Sequence, residues 1–425
     1  MPEAPARKAW LWVGAGFLFQ AIPGAIRDEA LPVALKNAGL PDGWNTRVVG
    51  ILGLLVGLKL LWAPAVVRLG EPTRVIRAAQ ALLVALLGWI ALSAPGAEAS
   101  PWPLLGLLIA LSLLSAGHDV ALDGYYVAAL REQERSRLAG LLNFASKTGS
   151  VLAGPCLIWL AGYLRGSEDS AAQAWGDALL AAGGLALLAW VVTALGLSRE
   201  PAGALPASQP IGASLRELAT DARFPAIVGL ILLYRTSEVH LARVLPLFSV
   251  APTTQGGLGL DNETYAVLRL ATGVGGLALG GLIGSSIITR LGIVRSLVPL
   301  GIAMHLPLIG IAWLGTHPEP PMAVIAAAFA VEHIAYGAGV CALLLAMMKV
   351  AEGPHAAVRY AALSTLALIG AYLPGLWAGA LAQRFGYGDY FLLTFALAAP
   401  GVWASVVAKR ALADSALRQE RDGLA

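Results

Sequence analysis

Long apolar segments separated by short polar turns run through almost the whole chain. Several windows of about 20 residues carry no charge, among them 78–97, 178–198 and 390–408. An α-helix needs about 20 mostly apolar residues to cross the hydrocarbon core of a bilayer. The pattern therefore predicts an all-α membrane protein with twelve transmembrane helices. The predicted spans cover approximately residues 8–35, 45–67, 75–95, 102–130, 136–164, 178–197, 223–250, 262–289, 296–315, 321–348, 358–383 and 389–408.

Polar and small residues recur at a nearly constant offset between the two parts of the chain. Arg68-Leu69-Gly70 after span two corresponds to Arg290-Leu291-Gly292 after span eight; Arg137 corresponds to Arg359, and Gly149 and Gly154 to Gly370 and Gly375. Such matches indicate a duplicated six-helix unit. We predict a first half at 1–197, a cytoplasmic linker at 198–222, a second half at 223–410 and a cytoplasmic tail at 411–425.

Composition and the placement of positive charge support this interpretation. The chain is 57% hydrophobic and 13% charged, whereas a soluble domain is typically about 25% charged. With the N-terminus inside, the predicted cytoplasmic segments hold 19 of the 29 Lys and Arg residues and the outer loops hold 4. Because positive residues concentrate on the cytoplasmic side, both termini are expected in the cytoplasm. A net charge of +3 is too small to indicate a nucleic-acid partner.

Several classes of site find no support in the sequence. Cys156 and Cys341 lie in apolar segments about half a chain apart, so a disulfide framework and a CxxC metal site are excluded. Glu332-His333 is not part of an HExxH motif, so a zinc hydrolase is not indicated. We expect no metal, no cofactor and no enzymatic activity.

Twelve charged residues of the predicted spans are candidates for intramembrane charges, six basic and six acidic. A charge near the bilayer centre costs at least about 2.5–3.5 kcal/mol, so such residues usually pair or line a polar pathway. They are Arg27, Lys59, Lys147, Arg235, Arg243, Arg269, Asp28, Glu29, Asp119, Asp123, Glu238 and Glu332.

Asp119 and Asp123 in span four are four residues apart and therefore share a helix face. Two close carboxylates in a low dielectric resist double ionisation, which suits a site that gains and loses a proton. The alternative is structural: each carboxylate is paired with a cation such as Lys59 or Lys147. We predict Asp119 and Asp123 as the proton-coupling residues and leave the structural alternative open.

Span seven places Arg235 one turn before Glu238, and span ten places Glu332 one turn before Tyr336. Arg235 is suited to hold an anionic group with its planar fork, or it pairs with Glu238. His333 is interpreted either as a site residue or as a satisfied buried imidazole.

Four motifs also resemble a known family. Residues 59–64 (KLLWAP), 118–124 (HDVALDG), 233–238 (LYRTSE) and 359–364 (RYAALS) resemble motifs of the AmpG-type muropeptide permeases. These permeases belong to the peptide/acetyl-CoA transporter branch of the major facilitator superfamily. The resemblance implies a major facilitator fold of two pseudo-symmetric six-helix halves. It also implies proton-driven import of cell-wall sugar–peptide fragments, with relatives that handle acetyl-CoA, siderophores or other amino sugars.

The sequence thus predicts a secondary active transporter, a proton-coupled importer of an amino-sugar or muropeptide-like solute across the bacterial inner membrane. The alternative solute is a siderophore or another organic anion. Expected partners are the solute, protons and membrane lipid, with the protein a monomer. Besides Asp119 and Asp123, the candidate substrate-binding residues are Lys59, His118, Tyr125, Asn143, Lys147, Tyr234, Arg235, Glu238, Glu332 and Tyr336.

Overall fold

The structure, a computed structural model, describes residues 8–59, 65–66, 68–98, 101–166, 170–197, 211–317, 319–352 and 356–422. These residues form helices and connecting turns, and none of them forms a β-strand. The prediction of an all-α protein is confirmed. Part of the predicted linker (198–210), most of the 59–64 motif and the last three residues of the tail lie outside the described residues.

The first part of the chain contains eight α-helices. They are α1 (Ala9–Ala25), α2 (Leu31–Asn37), α3 (Asp42–Gly57), α4 (Pro72–Ser93), α5 (Trp102–Ala129), α6 (Glu132–Ala153), α7 (Pro155–Arg165) and α8 (Ala171–Gly196). A π-helical turn, Ile26–Ala30, joins α1 to α2 into one continuous helical segment.

The second part contains twelve α-helices. They are α9 (Ile211–Thr220), α10 (Phe224–Leu233), α11 (Thr236–Val250), α12 (Asn262–Arg269), α13 (Gly275–Leu291), α14 (Ile293–His305), α15 (Leu308–Thr316), α16 (Met322–Ala351), α17 (Ala356–Tyr372), α18 (Ala378–Phe385), α19 (Tyr387–Ala396) and α20 (Ala398–Asp422). A second π-helical turn, Leu270–Val274, joins α12 to α13.

Nine helical segments within the described residues are long and apolar enough to cross a membrane. They are Ala9–Asn37, Pro72–Gly96, Trp102–Ala129, Ala171–Gly196, Asn262–Leu291, Ile293–Thr316, Met322–Ala351, Val358–Phe385 and Tyr387–Asp414. Exposed leucines such as Leu188 and Leu282 lie on these segments, as expected for side chains that face lipid.

The other three predicted spans are shorter or interrupted helices, so the count of twelve stays a prediction. Span five breaks at Gly154, and α7 begins at Pro155. The helix is interrupted there because proline has no backbone N–H to donate to the preceding turn. Span seven breaks at Tyr234 and Arg235, before the polar start of α11. The described part of span two, α3, has 16 residues.

The chain divides into two compact units. Unit 1 contains residues 1–40, 51–208 and 261–266, and unit 2 contains residues 41–50, 209–260 and 267–425. The predicted division into halves at 1–197 and 223–410 stays a prediction.

In unit 1, α1 packs against α6 and α8, and α4 packs against α5 and α8. Gly149 permits the closest of these approaches, because a Cβ atom there would overlap the carbonyl oxygen of Leu18 on α1. Trp12, Phe17 and Leu122 form part of the core beside this contact.

In unit 2, α13 packs against α16 along a row of glycines. A Cβ atom on Gly280 would overlap the carbonyl oxygen of Ile334, so the two backbones are in direct contact. Small residues at four-residue spacing allow this approach between membrane helices. The contact fixes the position of α16 along its axis relative to α13, and therefore the position of its polar residues.

Candidate functional site

In unit 1, helix α5 carries the two aspartates predicted to share a face. The Asp123 carboxylate accepts a hydrogen bond from Gln20 Nε2 at 3.2 Å. Its other oxygen lies 3.8 Å from Lys59 Nζ, and its side chain keeps 48% of its exposure. Among the described residues, an amide and one long ion-pair contact therefore compensate the charge of Asp123.

His118 and Asp119 lie one turn deeper on α5. The His118 side chain is fully buried, and its Nδ1 is 3.9 Å from Asp119 Oδ1. Within the described residues, neither ring nitrogen of His118 nor Oδ1 of Asp119 has a hydrogen-bond partner. Buried polar atoms are nearly always satisfied, so these three atoms mark a polar environment suited to a proton or a water molecule.

The other candidates of unit 1 lie elsewhere. Tyr125 is buried in the core, with its ring edge-on to Trp12 at 4.9 Å between centroids. Asn143 and Lys147 lie on α6 and are exposed. The Asn143 amide donates to the Ala139 carbonyl of its own helix, and Lys147 forms no ion pair with a carboxylate of the described residues. Lys59, rather than Lys147, is thus the cation that lies beside the aspartates.

In unit 2, three candidate residues bond to one another. Arg235 donates to the Glu238 carboxylate from Nε at 3.0 Å and lies 2.9 Å from it through Nη2. The same Nη2 donates to the Tyr336 hydroxyl at 2.9 Å. The break between α10 and α11 directs Arg235 toward α16, where Tyr336 lies. Tyr234 points elsewhere, because its hydroxyl donates to the Gly339 carbonyl inside the core.

Three further residues, Arg269, Glu332 and His333, complete what we call the unit 2 cluster: Arg235, Glu238, Arg269, Glu332, His333 and Tyr336. Arg269 donates from Nη1 to His333 Nε2. His333 Nδ1 lies 2.7 Å from the Phe329 carbonyl, which can only accept, so Nδ1 carries the proton. His333 is therefore held as a neutral imidazole, which agrees with the interpretation of a satisfied buried histidine. Glu332 is 6% exposed.

Several contacts were not predicted from the sequence. Gln20 was not among the candidates, and the hydrogen bond from Trp377 Nε1 to His240 Nε2 at 3.0 Å was not predicted. Arg269 was named among the twelve charged residues of the spans but not as a substrate-binding residue. Gln20 carries the one usable signal, since it is a polar residue within an apolar helix. Arg27 bonds to Asp28 through two nitrogens and is buried, deeper than its position near the end of span one indicates.

Chemically, the two arrangements differ. The aspartates of unit 1 offer carboxylates that can take up a proton, and Arg235 in unit 2 offers a planar fork for a carboxylate or phosphate. Within the described residues, no group of three His, Cys, Asp or Glu side chains is placed to hold a metal ion.

Comparison with known proteins gives one family. A sequence model of the Major Facilitator Superfamily matches residues 38–373. The anhydromuropeptide permease of Escherichia coli (strain K12) is 25% identical over 402 residues, which cover 90% of this chain and 78% of that protein.

Solved structures give the same fold. A D-xylose-proton symporter superposes with a TM-score of 0.69 at 16% identity, covering 95% of this chain and 97% of its own. An auto-inhibited POT family peptide transporter superposes with a TM-score of 0.70 at 14% identity, covering 96% of both chains. The prediction of the major facilitator fold is confirmed, and so is the similarity to AmpG-type permeases.

Proposed function

Because this chain belongs to the Major Facilitator Superfamily, and is therefore a multi-pass membrane transporter rather than an enzyme, we propose that it imports a muropeptide-like or amino-sugar solute together with protons. The transport would run across the bacterial inner membrane, with both termini in the cytoplasm. The similarity over 90% of the chain to an anhydromuropeptide permease supports this class of solute.

The observation that carries the proton coupling is the state of the aspartates in unit 1. Among the described residues, one buried oxygen of Asp119 has no hydrogen-bond partner, and Asp123 has one long contact to Lys59. Carboxylates that no close ion pair holds in place are suited to gain and lose a proton during transport. We assign Asp119 and Asp123 the coupling proton, with Lys59 and His118 as their neighbours in the solute pathway.

Substrate recognition is assigned to unit 2. Arg235, held by Glu238 and Tyr336, presents a guanidinium suited to a carboxylate of the solute. The same fork would hold a siderophore or another organic anion, so this class remains the second candidate.

The test is uptake by proteoliposomes that contain the purified protein. A labelled anhydromuropeptide should accumulate when an inward proton gradient is imposed and should only equilibrate when a protonophore removes the gradient. An unlabelled siderophore and an unlabelled amino sugar are added as competitors. If the labelled muropeptide is not taken up and a labelled siderophore is, the second candidate replaces the first. Equal uptake with and without the gradient contradicts proton coupling.

The orientation is tested separately with a single cysteine at Ser208 in a variant without Cys156 and Cys341. A membrane-impermeant thiol reagent added to spheroplasts should label this cysteine only after lysis. Labelling in intact spheroplasts would reverse the proposed orientation.

A further inference from the structure

Glu332 differs from the other charged residues of the unit 2 cluster, because no Lys or Arg among the described residues forms a hydrogen bond or an ion pair with it. It is 6% exposed and lies in the middle of α16. Its carboxylate is 3.5 Å from His333 Nδ1, but that nitrogen already donates its proton to the Phe329 carbonyl. A buried carboxylate without a bonded cation is costly when ionised.

The charged groups that act on Glu332 come from other helices of unit 2. Glu238 repels its negative charge and Arg269 attracts it, and Arg269 is bonded to His333. Other ionisable side chains on or next to the helices packed against α16 are Tyr234, Arg290, Arg295, His305, His317, Arg359, Tyr360 and Tyr372, and Lys349 lies on α16 itself.

Two histidines near Glu332, His333 and His240, are poor carriers of a proton. His333 and His240 each have Nδ1 directed at a backbone carbonyl and Nε2 accepting from an N–H group, of Arg269 and Trp377 respectively. A second proton on either ring would point at that N–H group and break the bond. Glu332 is therefore the better-placed proton acceptor of the cluster.

Tyr336 connects Glu332 to the residue that binds anions. Glu332 and Tyr336 are four residues apart on α16 and share a face. The Tyr336 hydroxyl accepts from Arg235 Nη2, so the guanidinium lies beside the same face as the Glu332 carboxylate. An ionised Glu332 on this face would repel an anionic solute that approaches Arg235.

We propose that Glu332 is a second proton-binding residue of the transport cycle and that its protonated form is the one in which Arg235 binds a carboxylate of the solute. This inference rests on the proposed transport function and narrows it to solutes with at least one free carboxylate. The proton adds to a Glu332 oxygen as the anion binds, and both leave on the other side. One proton thus accompanies one anionic group, and the charge of the cluster is unchanged by their joint arrival.

Binding as a function of pH tests the proposal. The wild-type protein in detergent should bind an anhydromuropeptide more weakly as the pH rises from about 6 to about 9, by about tenfold per pH unit once Glu332 is ionised. Glu332→Gln, which imitates the protonated form, should bind with little dependence on pH. The same muropeptide with its carboxylates amidated should bind weakly at every pH. The matched control is Glu319→Gln, an exposed glutamate, which should keep the wild-type pH dependence.

Infrared difference spectroscopy gives a readout that needs no solute. Wild-type protein and Glu319→Gln at neutral pH should both show a stronger protonated-carboxyl band than Glu332→Gln, in which only the contribution of Asp119 and Asp123 remains. If no muropeptide binds at any pH, the proposed solute is wrong, and this band alone then decides whether Glu332 holds a proton.

Two results would overturn the proposal. One is an unchanged carboxyl band in Glu332→Gln; the other is wild-type muropeptide binding that does not vary with pH. Should Glu332→Gln fail to fold, Glu332→Asp is used instead, because it retains a titratable group. Muropeptide binding by Glu332→Asp should still weaken as the pH rises, but over a different pH range from the wild type. The same pH range in both proteins would count against Glu332.

Discussion

The two units hold their ionisable residues in different ways. In unit 1 the aspartates lie along one helix, and Asp123 is half exposed, with one cation 3.8 Å away. In unit 2 the residues come from three helices, and Arg235 binds both Glu238 and Tyr336 within 3.0 Å. Loosely compensated carboxylates can change their charge with little effect on packing. A bonded arginine cannot be removed without leaving a buried negative charge.

The comparison therefore predicts that single changes in unit 2 disturb both folding and transport, whereas changes at the aspartates disturb coupling alone. Four experiments separate these effects, from the largest expected to the smallest.

Replacing Arg235 should have the largest effect. Arg235→Met leaves Glu238 buried without its partner, at a cost near the lower end of about 3–5 kcal/mol, and removes the fork proposed to bind the solute. We expect a lower unfolding temperature in detergent and transport reduced at least about tenfold. Arg165→Met, at an exposed helix end, is the control. Normal transport by the double variant Arg235→Met/Glu238→Leu would instead assign the pair a purely structural role.

Removing the carboxylates of unit 1 should abolish coupling without loss of fold. Asp119→Asn or Asp123→Asn should stop accumulation driven by a proton gradient, because the amide cannot carry the proton. Solute counterflow should persist, and the unfolding temperature should stay near that of the wild type. Asp177→Asn, a carboxylate of the same unit that bonds to Gln173, serves as the control. Normal accumulation by both single variants would make the aspartates structural.

Changing the packing between α13 and α16, the helix that carries part of the unit 2 cluster, should have a smaller effect on stability. Gly280→Ala places a methyl group against the Ile334 backbone and should destabilise the protein by about 1–3 kcal/mol. Gly281→Ala meets nothing within 4 Å and should be neutral or slightly stabilising. The same contrast applies in unit 1 to Gly149→Ala and Gly140→Ala, both on α6. Thermal unfolding of the four variants measures it, and equal effects within each pair would contradict the packing described here.

A surface pair outside both clusters should matter least. Hydrogen bonds from the Arg223 side chain hold the pKa of Asp221 below its ordinary value of 3.8. The ionised Asp221 carboxylate therefore contributes fully to stability above pH 3.8. This contribution is lost as the pH falls through the pKa of Asp221 in the folded protein, which is the lower of the two values. Asp221→Asn should cost less than about 1 kcal/mol at neutral pH and nothing at the acid end. Unfolding temperatures across this range measure the difference, with exposed Asp414→Asn as control; a constant difference would contradict the assignment.

Sequence alone determined the features that depend on residues close together in the chain. Continuous apolar windows predicted the all-α membrane fold, because a spanning segment must satisfy its backbone hydrogen bonds internally. Spacing within one helix likewise singled out the aspartates of α5. It left the pairing of Arg235 with Glu238 as one of two alternatives, and the two side chains lie 2.9 Å apart. The motifs of the family added the class of protein.

Only the tertiary structure decided which of these residues meet residues from elsewhere. Gln20 reaches Asp123 across 103 positions, and Arg235 reaches Tyr336 across 101. Tyr125, two positions after Asp123, turns into the core against Trp12. Such contacts depend on which helices are neighbours and how each is rotated and shifted. Those quantities are set by packing, such as the backbone contact at Gly280, and hydrophobic periodicity along a single helix carries no information about them.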